Sequence, residues 1–288
     1  MAIGRFAPSP TGPLHMGSLL TALASFADIR QRRGEWFVRI DDLDVHRSDA
    51  QAPAQILQTL QAHGLHSDRP VARQSDHTER YRNAFAALTR EIFYCNCSRR
   101  QLAGQSVYPG TCRRHRKPRP DSAARLHVTA TRLAVHDAVL GNHTFNPVDD
   151  FGDFIVKRRD GPWSYHLVTA VDDGLDVTHV LRGQDLWQVT PQQVYLMDLL
   201  NLSTPNYAHI PVLCFADGDK LSKQTHAPAI DNNNAGANLR YALKLLGQAP
   251  PAEDQWPASK WIEWAINNWQ LERIPAVLPP YDPTHEAG

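Results

Sequence analysis

The feature that most limits the fold is the order of signals in the first ninety residues. A short apolar run, Ile3 to Ala7, enters the loop Pro8-Ser9-Pro10-Thr11-Gly12-Pro13. After Gly17 a helical pattern places Leu19, Leu20, Leu23, Phe26, Ala27 and Ile29 on one side, and Gly34 stops it. Trp36-Phe37-Val38-Arg39-Ile40 then reads as a strand that ends in an acidic loop, Asp41 to Asp44. The periodicity predicts two further helices, at roughly 50–63 and 77–92. Strand, helix, strand, helix means a parallel sheet with crossover helices, since parallel neighbours cannot be joined by a tight hairpin.

From Tyr94 to about Arg159 cysteines, prolines and a basic run, Arg113-Arg114-His115-Arg116-Lys117-Pro118-Arg119, interrupt this pattern. The interruption predicts an insertion between two halves of the sheet. The second half resumes with a helix near 166–173, a strand at Thr178 to Leu181, a helix from about Thr190 to Leu200 and a strand from Ala208 to Phe215. A loop ending in Lys220-Leu221-Ser222-Lys223 follows, then an amphipathic helix near 236–246. Pro250 to Pro257 reads as a linker, Trp261 to Trp269 as a short helix, and the chain after Pro275 as a loose tail. The expected organisation is a catalytic unit in two halves, 1–94 and 161–247, with an insertion at 95–160 and a short helical extension at 248–288.

The formal net charge is zero, so no long-range positive field attracts nucleic acid, and an RNA partner would be held by local patches. The basic run from Arg113 to Arg119 is the best candidate for phosphate contact, with Lys157, Arg158 and Arg159 adding charge; a solvated basic loop is the competing reading. The first residues lack the apolar core of a signal peptide, and no apolar stretch is long enough to span a bilayer. The expectation is a cytoplasmic monomer with no membrane partner.

Two short motifs carry the strongest chemical signal. In Arg5-Phe6-Ala7-Pro8-Ser9-Pro10-Thr11-Gly12-Pro13-Leu14-His15-Met16-Gly17-Ser18, a loop enters a helix N-terminus. Free backbone N–H groups and the positive end of a helix dipole suit phosphate there, and Gly17 lets a nucleotide approach the backbone. His15 and Ser18 flank that point. In Lys220-Leu221-Ser222-Lys223-Gln224, two ammonium groups sit on a late loop, where they could neutralise charge as pyrophosphate leaves. Asp172 and Asp173 form a carboxylate pair that reads as a capping or nucleotide-facing feature rather than as an acid/base pair.

Cys95-Asn96-Cys97 is followed by Tyr108-Pro109-Gly110-Thr111-Cys112. Thiolates suit Zn²⁺, and a structural site wants four ligands in a tetrahedron. Tyr108, His115 or a water could be the fourth ligand. Such an ion would staple an insertion too small to hold a core of its own. Cys214, beside Leu213 and Phe215, reads as core.

The segment from Arg5 to Ser18 resembles the signature of glutamyl-tRNA synthetases, and Lys220 to Gln224 resembles the class I lysine loop. Over roughly residues 3–245 the chain is similar to the shorter relatives called glutamyl-queuosine tRNA(Asp) synthetases. The resemblance implies an α/β class I synthetase fold, a Rossmann-like parallel sheet with a zinc-binding insertion. It implies that His15 and Lys223 are catalytic, and that His15, Gly17, Ser18, Lys220 and Lys223 bind ATP with Mg²⁺. It implies a glutamate pocket of Arg5, Ser9, Asp41, Tyr165 and Arg182. At position 41 the family usually carries Glu, one methylene longer. It also implies zinc ligation by Cys95, Cys97, Tyr108 and Cys112. The acceptor it implies is the cyclopentene diol of queuosine at the wobble position of tRNA(Asp). With about 65 residues after Lys223, the expectation is a short extension that braces the catalytic unit, without the large anticodon-reading domain of a full glutamyl-tRNA synthetase. Two rival readings are a truncated enzyme that charges a tRNA 3′ end and a non-catalytic RNA-binding paralogue.

Overall fold

The computed structural model describes residues 1–221, 227–253 and 255–282. Strand β1 (Ile3–Phe6), helix α1 (Met16–Gln31) and strand β2 (Glu35–Ile40) form the expected crossover unit, with Ile3 opposite Glu35 and Phe6 opposite Val38 in parallel register. The six apolar residues read onto one side of α1 are all buried. Gly34 makes the return possible: a Cβ there would lie 2.5 Å from the Ala2 carbonyl oxygen, closer than backbone tolerates.

Helix α2 (Ala52–Ala62) leads to the short strand β3 (Ala72–Arg73), and helix α3 (Thr78–Ala87) follows. The helix expected over 77–92 ends at Ala87. Beyond it the aromatic and β-branched run Ile92-Phe93-Tyr94-Cys95 forms strand β4 (Ile92–Cys95), which pairs antiparallel with β5 (Ala123–Leu126). With β8 (Phe154–Lys157) these make a separate sheet in the order β4-β5-β8.

The segment expected as one insertion divides. Between β5 and β8 the hairpin β6 (Leu133–Asp137) and β7 (Gly141–Phe145) leaves the small sheet and joins the main one, where Asp137 pairs with Tyr207. The signal was local: Leu133, Val135 and Asp137 are buried while Ala134 and His136 are exposed, the period of a half-buried strand. The short helix α4 (Pro147–Asp150) completes the return.

Helix α5 (Tyr165–Asp176), strand β9 (His179–Gly183), helix α6 (Thr190–Leu199) and strand β10 (Asn206–Ile210) resume the crossover pattern. Among the described residues the main sheet has seven strands in the order β3-β2-β1-β9-β10-β6-β7, parallel except for β7. The chain builds outward from β1 in one direction and from β9 in the other. The switch point of the sheet therefore lies between β1 and β9, and open α/β sheets bind ligands in the crevice at the C-terminal ends of the strands at such a point.

Side-chain alternation assigns the two faces. Val38, Leu181 and Ala208 join a core with α1, α7 (Ala235–Leu245) and α8 (Ala258–Asn268), while Phe37, Val180 and Tyr207 join a second core with α5 and α6. The described part of the expected loose tail, residues 276–282, is packed rather than loose. Leu278 and Tyr281 are buried, the Tyr281 amide donates to the Cys214 carbonyl at 2.8 Å, and the Asp282 amide donates to the Tyr241 hydroxyl at 3.1 Å. Tyr281 closes the first core beside Phe215, with the ring centroids 6.0 Å apart.

Candidate active site

The first motif forms the turn that enters α1. His15 is the cap, with extended backbone, and its Nδ1 accepts from the Ser18 amide at 3.3 Å. Its Nε2 lies 3.2 Å from the Ser18 hydroxyl. The second motif folds back onto this turn. The Leu221 amide donates to the Leu213 carbonyl at 2.8 Å, and Cys214 bridges to Lys220. A methyl group on Gly17 would stand 3.2 Å from the His15 ring and 3.7 Å from the Leu221 carbonyl oxygen. The Ile230 amide donates to the Leu14 carbonyl at 3.0 Å. Two motifs at opposite ends of the sequence thus meet at one helix N-terminus. The Lys220 ammonium pairs with Asp185. Lys223, with Ser222 and Gln224, lies outside the described residues.

Beside this turn, one ionisable side chain from each of four strands faces the α5 side of the sheet: Arg5 (β1), Arg39 (β2), Arg182 (β9) and His209 (β10). All four are buried. Arg5 donates through Nε (3.1 Å) and Nη2 (2.9 Å) to Asp173. Arg39 donates through Nη1 to the same carboxylate at 2.8 Å and through Nε to Asp41 at 2.7 Å. Asp172 accepts from the Tyr81 hydroxyl (2.7 Å) and Gln74 (3.1 Å), with His77 Nδ1 at 3.1 Å. The carboxylate pair on α5 is therefore the counter-charge of buried strand arginines and their neighbours. It does not cap the helix N-terminus, where Ser164 stands; burying those guanidinium groups without acidic partners would cost about 3–5 kcal/mol for each broken pair.

Burial would lower the Arg5 pKa, but Asp173 outweighs it and the net shift is upward. Burial would raise the Asp173 carboxyl, yet Arg5 and Arg39 hold it well below the usual range. Both groups stay charged. Arg182 is held differently. It donates through Nε to His209 Nε2 (3.0 Å) and through Nη2 to Thr190 Oγ1 (2.8 Å) and Gln193 Oε1 (2.7 Å). Its Nη1 is buried and has no hydrogen-bond partner among the described residues. A buried, charged donor without an acceptor is costly, and such groups mark ligand positions. Tyr165, at the start of α5, is 38% exposed and close enough to Arg5 to act on its charge. Ser9 is exposed on the loop between β1 and α1.

The cysteine motif forms a second constellation on the small sheet. The sulfurs of Cys95, Cys97 and Cys112 lie within 4.8 Å of one another. The Cys97 and Cys112 sulfurs are 3.6 Å apart, and the Tyr108 hydroxyl is 3.4 Å from Cys95 Sγ and 3.7 Å from Cys97 Sγ. A tetrahedron with Zn–S of about 2.3 Å and Zn–O of about 2.0 Å has edges of roughly 3.5–3.8 Å, so these four donors fit a zinc ion. His115 is not in the cluster of potential ligands found among the described residues, and neither is Cys214.

Residues 2–128 and 111–243 match the family described as tRNA synthetases class I (E and Q), catalytic domain. The "Glutamyl-Q tRNA(Asp) synthetase" of Chromobacterium violaceum is 43% identical over 289 residues, covering 95% of each chain. That of Thiobacillus denitrificans is 42% identical, again over 95% of each chain. The chain belongs to the glutamyl-Q tRNA(Asp) synthetase family. The fold agrees with that of a glutamate tRNA ligase from Elizabethkingia meningosepticum, solved in complex with its amino acid. The TM-score is 0.82 at 19% identity, over 99% of this chain and 68% of that one.

Within this glutamyl-Q tRNA(Asp) synthetase family member, Arg5, Asp41 and Arg182 stand at adjoining strand ends, and His15, Gly17 and Ser18 stand at the helix they lead into. The basic run is less available than its composition suggests. Arg113 pairs with the fully buried Asp153 at 2.7 Å, and Arg116 donates to the carbonyls of Arg90 and Ile92 at 3.3 Å. Sequence reasoning missed Arg39, His209 and Asp137. The available signal was one ionisable residue inside each otherwise apolar strand, as in Trp36-Phe37-Val38-Arg39-Ile40 and Tyr207-Ala208-His209-Ile210.

Proposed function

We propose that the chain activates glutamate with ATP at the crevice between β1 and β9 and transfers the glutamyl group to a queuosine hydroxyl of tRNA(Asp). The observation that carries the reading is the buried, unpartnered Nη1 of Arg182, at a ligand-binding crevice beside a helix N-terminus suited to phosphate. A guanidinium fork prefers a carboxylate to its neutral amide, which selects glutamate over glutamine. Arg182 and Arg5 hold the side-chain carboxylate; Asp41, Tyr165 and Ser9 complete the pocket around the amino group and backbone.

In the first step a glutamate α-carboxylate oxygen attacks the α-phosphorus of ATP, the bond to the β-phosphate breaks, and pyrophosphate leaves. His15, the amide at Gly17, the Ser18 hydroxyl and the lysines at 220 and 223 stabilise charge on the departing phosphates. Mg²⁺ supplies further neutralisation when it accompanies the nucleotide. In the second step a hydroxyl oxygen attacks the acyl carbon of glutamyl-AMP. An ester forms, AMP leaves and the hydroxyl proton passes to solvent. Cys95, Cys97, Cys112 and Tyr108 hold a structural zinc ion that keeps the small sheet in shape. The reading includes a cytoplasmic, monomeric enzyme.

The test is transfer of radiolabelled glutamate to tRNA(Asp), followed by nuclease digestion. Label on the anticodon fragment, absent when the tRNA lacks queuosine, is the expected result. Label on the 3′-terminal fragment would favour a truncated glutamyl-tRNA synthetase.

A further inference from the structure

The reading above accounts for Arg182 but not for the two buried groups behind it. His209 and Asp137 are both inaccessible to solvent, and they touch through His209 Nδ1 and Asp137 Oδ2 at 2.6 Å. The opposite edge of the imidazole, Nε2, stands 3.0 Å from Arg182 Nε and 3.0 Å from Thr190 Oγ1. A guanidinium nitrogen only donates, so Nε2 must be the bare nitrogen, and the proton must lie on Nδ1, facing Asp137. Thr190 directs its hydroxyl proton to the Leu186 carbonyl at 2.9 Å, which leaves its oxygen free to accept from Arg182.

Packing fixes the ring as well. Trp187 meets it edge-on at 5.3 Å and Tyr207 lies parallel at 5.8 Å. Asp137 is itself locked. Its Oδ1 accepts from the amides of Val139 (2.9 Å), Leu140 (2.8 Å) and His209 (3.2 Å), so only Oδ2 can face the ring. Asp137 ends β6, the hairpin strand that leaves the small sheet to join the main one.

We propose that Asp137 and His209 are a positioning pair for glutamate recognition: the carboxylate fixes the imidazole tautomer, and the imidazole fixes the Arg182 guanidinium so that Nη1 is presented to the substrate carboxylate. The proposal rests on the glutamate-activating reading. Neither residue touches substrate. The joining of the β6–β7 hairpin to the main sheet delivers Asp137 to this point.

An isosteric change isolates the effect. In Asp137→Asn, three backbone donors hold the amide oxygen in the Oδ1 place, so the NH₂ group must face His209 Nδ1. The ring then carries its proton on Nε2, donor against donor with Arg182 Nε. The test is ATP–pyrophosphate exchange with wild type and Asp137→Asn, combined with ¹⁵N imidazole spectra. The wild-type ring of His209 should show a protonated Nδ1 and a bare Nε2, and the variant the reverse. The KM for glutamate should rise about 10- to 100-fold, the span expected when a hydrogen bond to a charged group is lost, with the KM for ATP within about twofold of wild type. A merely structural role would disturb both constants together. An unchanged glutamate KM in a variant with the inverted ring would overturn the proposal, as would a wild-type ring protonated on Nε2, a measurement that needs no variant to fold. Wild-type enzyme that shows no exchange with glutamate, with or without tRNA, would sink the glutamate reading itself, a result distinct from an indifferent variant.

Discussion

Arg182 and Arg5 are both anchored through Nε and Nη2, one by neutral acceptors and the other by a carboxylate. The difference matters for specificity. Among the described residues no acidic side chain bonds Arg182, so a carboxylate arriving there would be matched rather than exchanged for an internal one. Arg182→Lys keeps the charge but cannot donate to His209, Thr190, Gln193 and a ligand together. Its glutamate KM in ATP–pyrophosphate exchange should rise about 100-fold with little change in far-ultraviolet circular dichroism, in line with loss of charge-assisted hydrogen bonds. The buried ionisable groups also set an acid limit. Burial, with Arg182 adding to it, lowers the His166 pKa to about 4. Burial would raise the Asp137 carboxyl, but hydrogen bonds from His209, Leu140 and Val139 bring it down to about 2. Each folded pKa lies below its unfolded value, so each group contributes stability above the unfolded pKa that is lost as pH falls through the folded one. Urea unfolding should therefore show stability declining from about pH 6.5 to pH 4 as His166 resists protonation, and declining further from about pH 4 to pH 2 as Asp137 does.

At the scale of elements, the junction of two motifs at the N-terminus of α1 is the feature most open to test. Gly17→Ala would place a methyl 3.2 Å from the His15 ring, tighter than an ordinary contact, with the Leu221 carbonyl on its other side. The expected outcome is a several-fold rise in the KM for ATP, with the KM for glutamate and the melting temperature little changed. The α1 turn was legible because helix caps and glycine have local causes. Crossover order was legible because hydrophobic period and breakers are local too. The hairpin β6–β7 was not, since its partner β10 lies some seventy residues later and a short alternating run gives no hint of which sheet it joins. The acidic pair on α5 was misread for the same reason: its partners, Arg5 and Arg39, are on strands far away in sequence. The cysteine cluster was readable from spacing; the family resemblance favoured Tyr108 over His115 as the fourth ligand, and the fold sets the Tyr108 hydroxyl beside the sulfurs of Cys95 and Cys97. Metal analysis should find one zinc per chain in the purified protein, and Cys97→Ser should lower that content below half.

For the whole molecule, the two cores have different tasks. The core on the α5 side surrounds the charged strand ends, while the core on the α1 side is closed by the C-terminal segment. Trp261 and Trp269 are fully buried among residues of α1, α7 and the strands, so the short extension belongs to the catalytic unit's own core. Trp261→Ala should cost about 3–5 kcal/mol of unfolding free energy by urea titration, the range for deleting a large buried aromatic. No helix among the described residues is long and apolar enough to cross a membrane. If the proposed function holds, Arg182 reads a carboxylate and the α1 turn reads phosphate at one switch point of the sheet. ATP–pyrophosphate exchange measured in parallel with glutamate, glutamine and aspartate, with and without tRNA, tests it most directly. Exchange with glutamate at a rate well above that with glutamine or aspartate is expected. Equal exchange with glutamine, or none with any of the three under either condition, would contradict it.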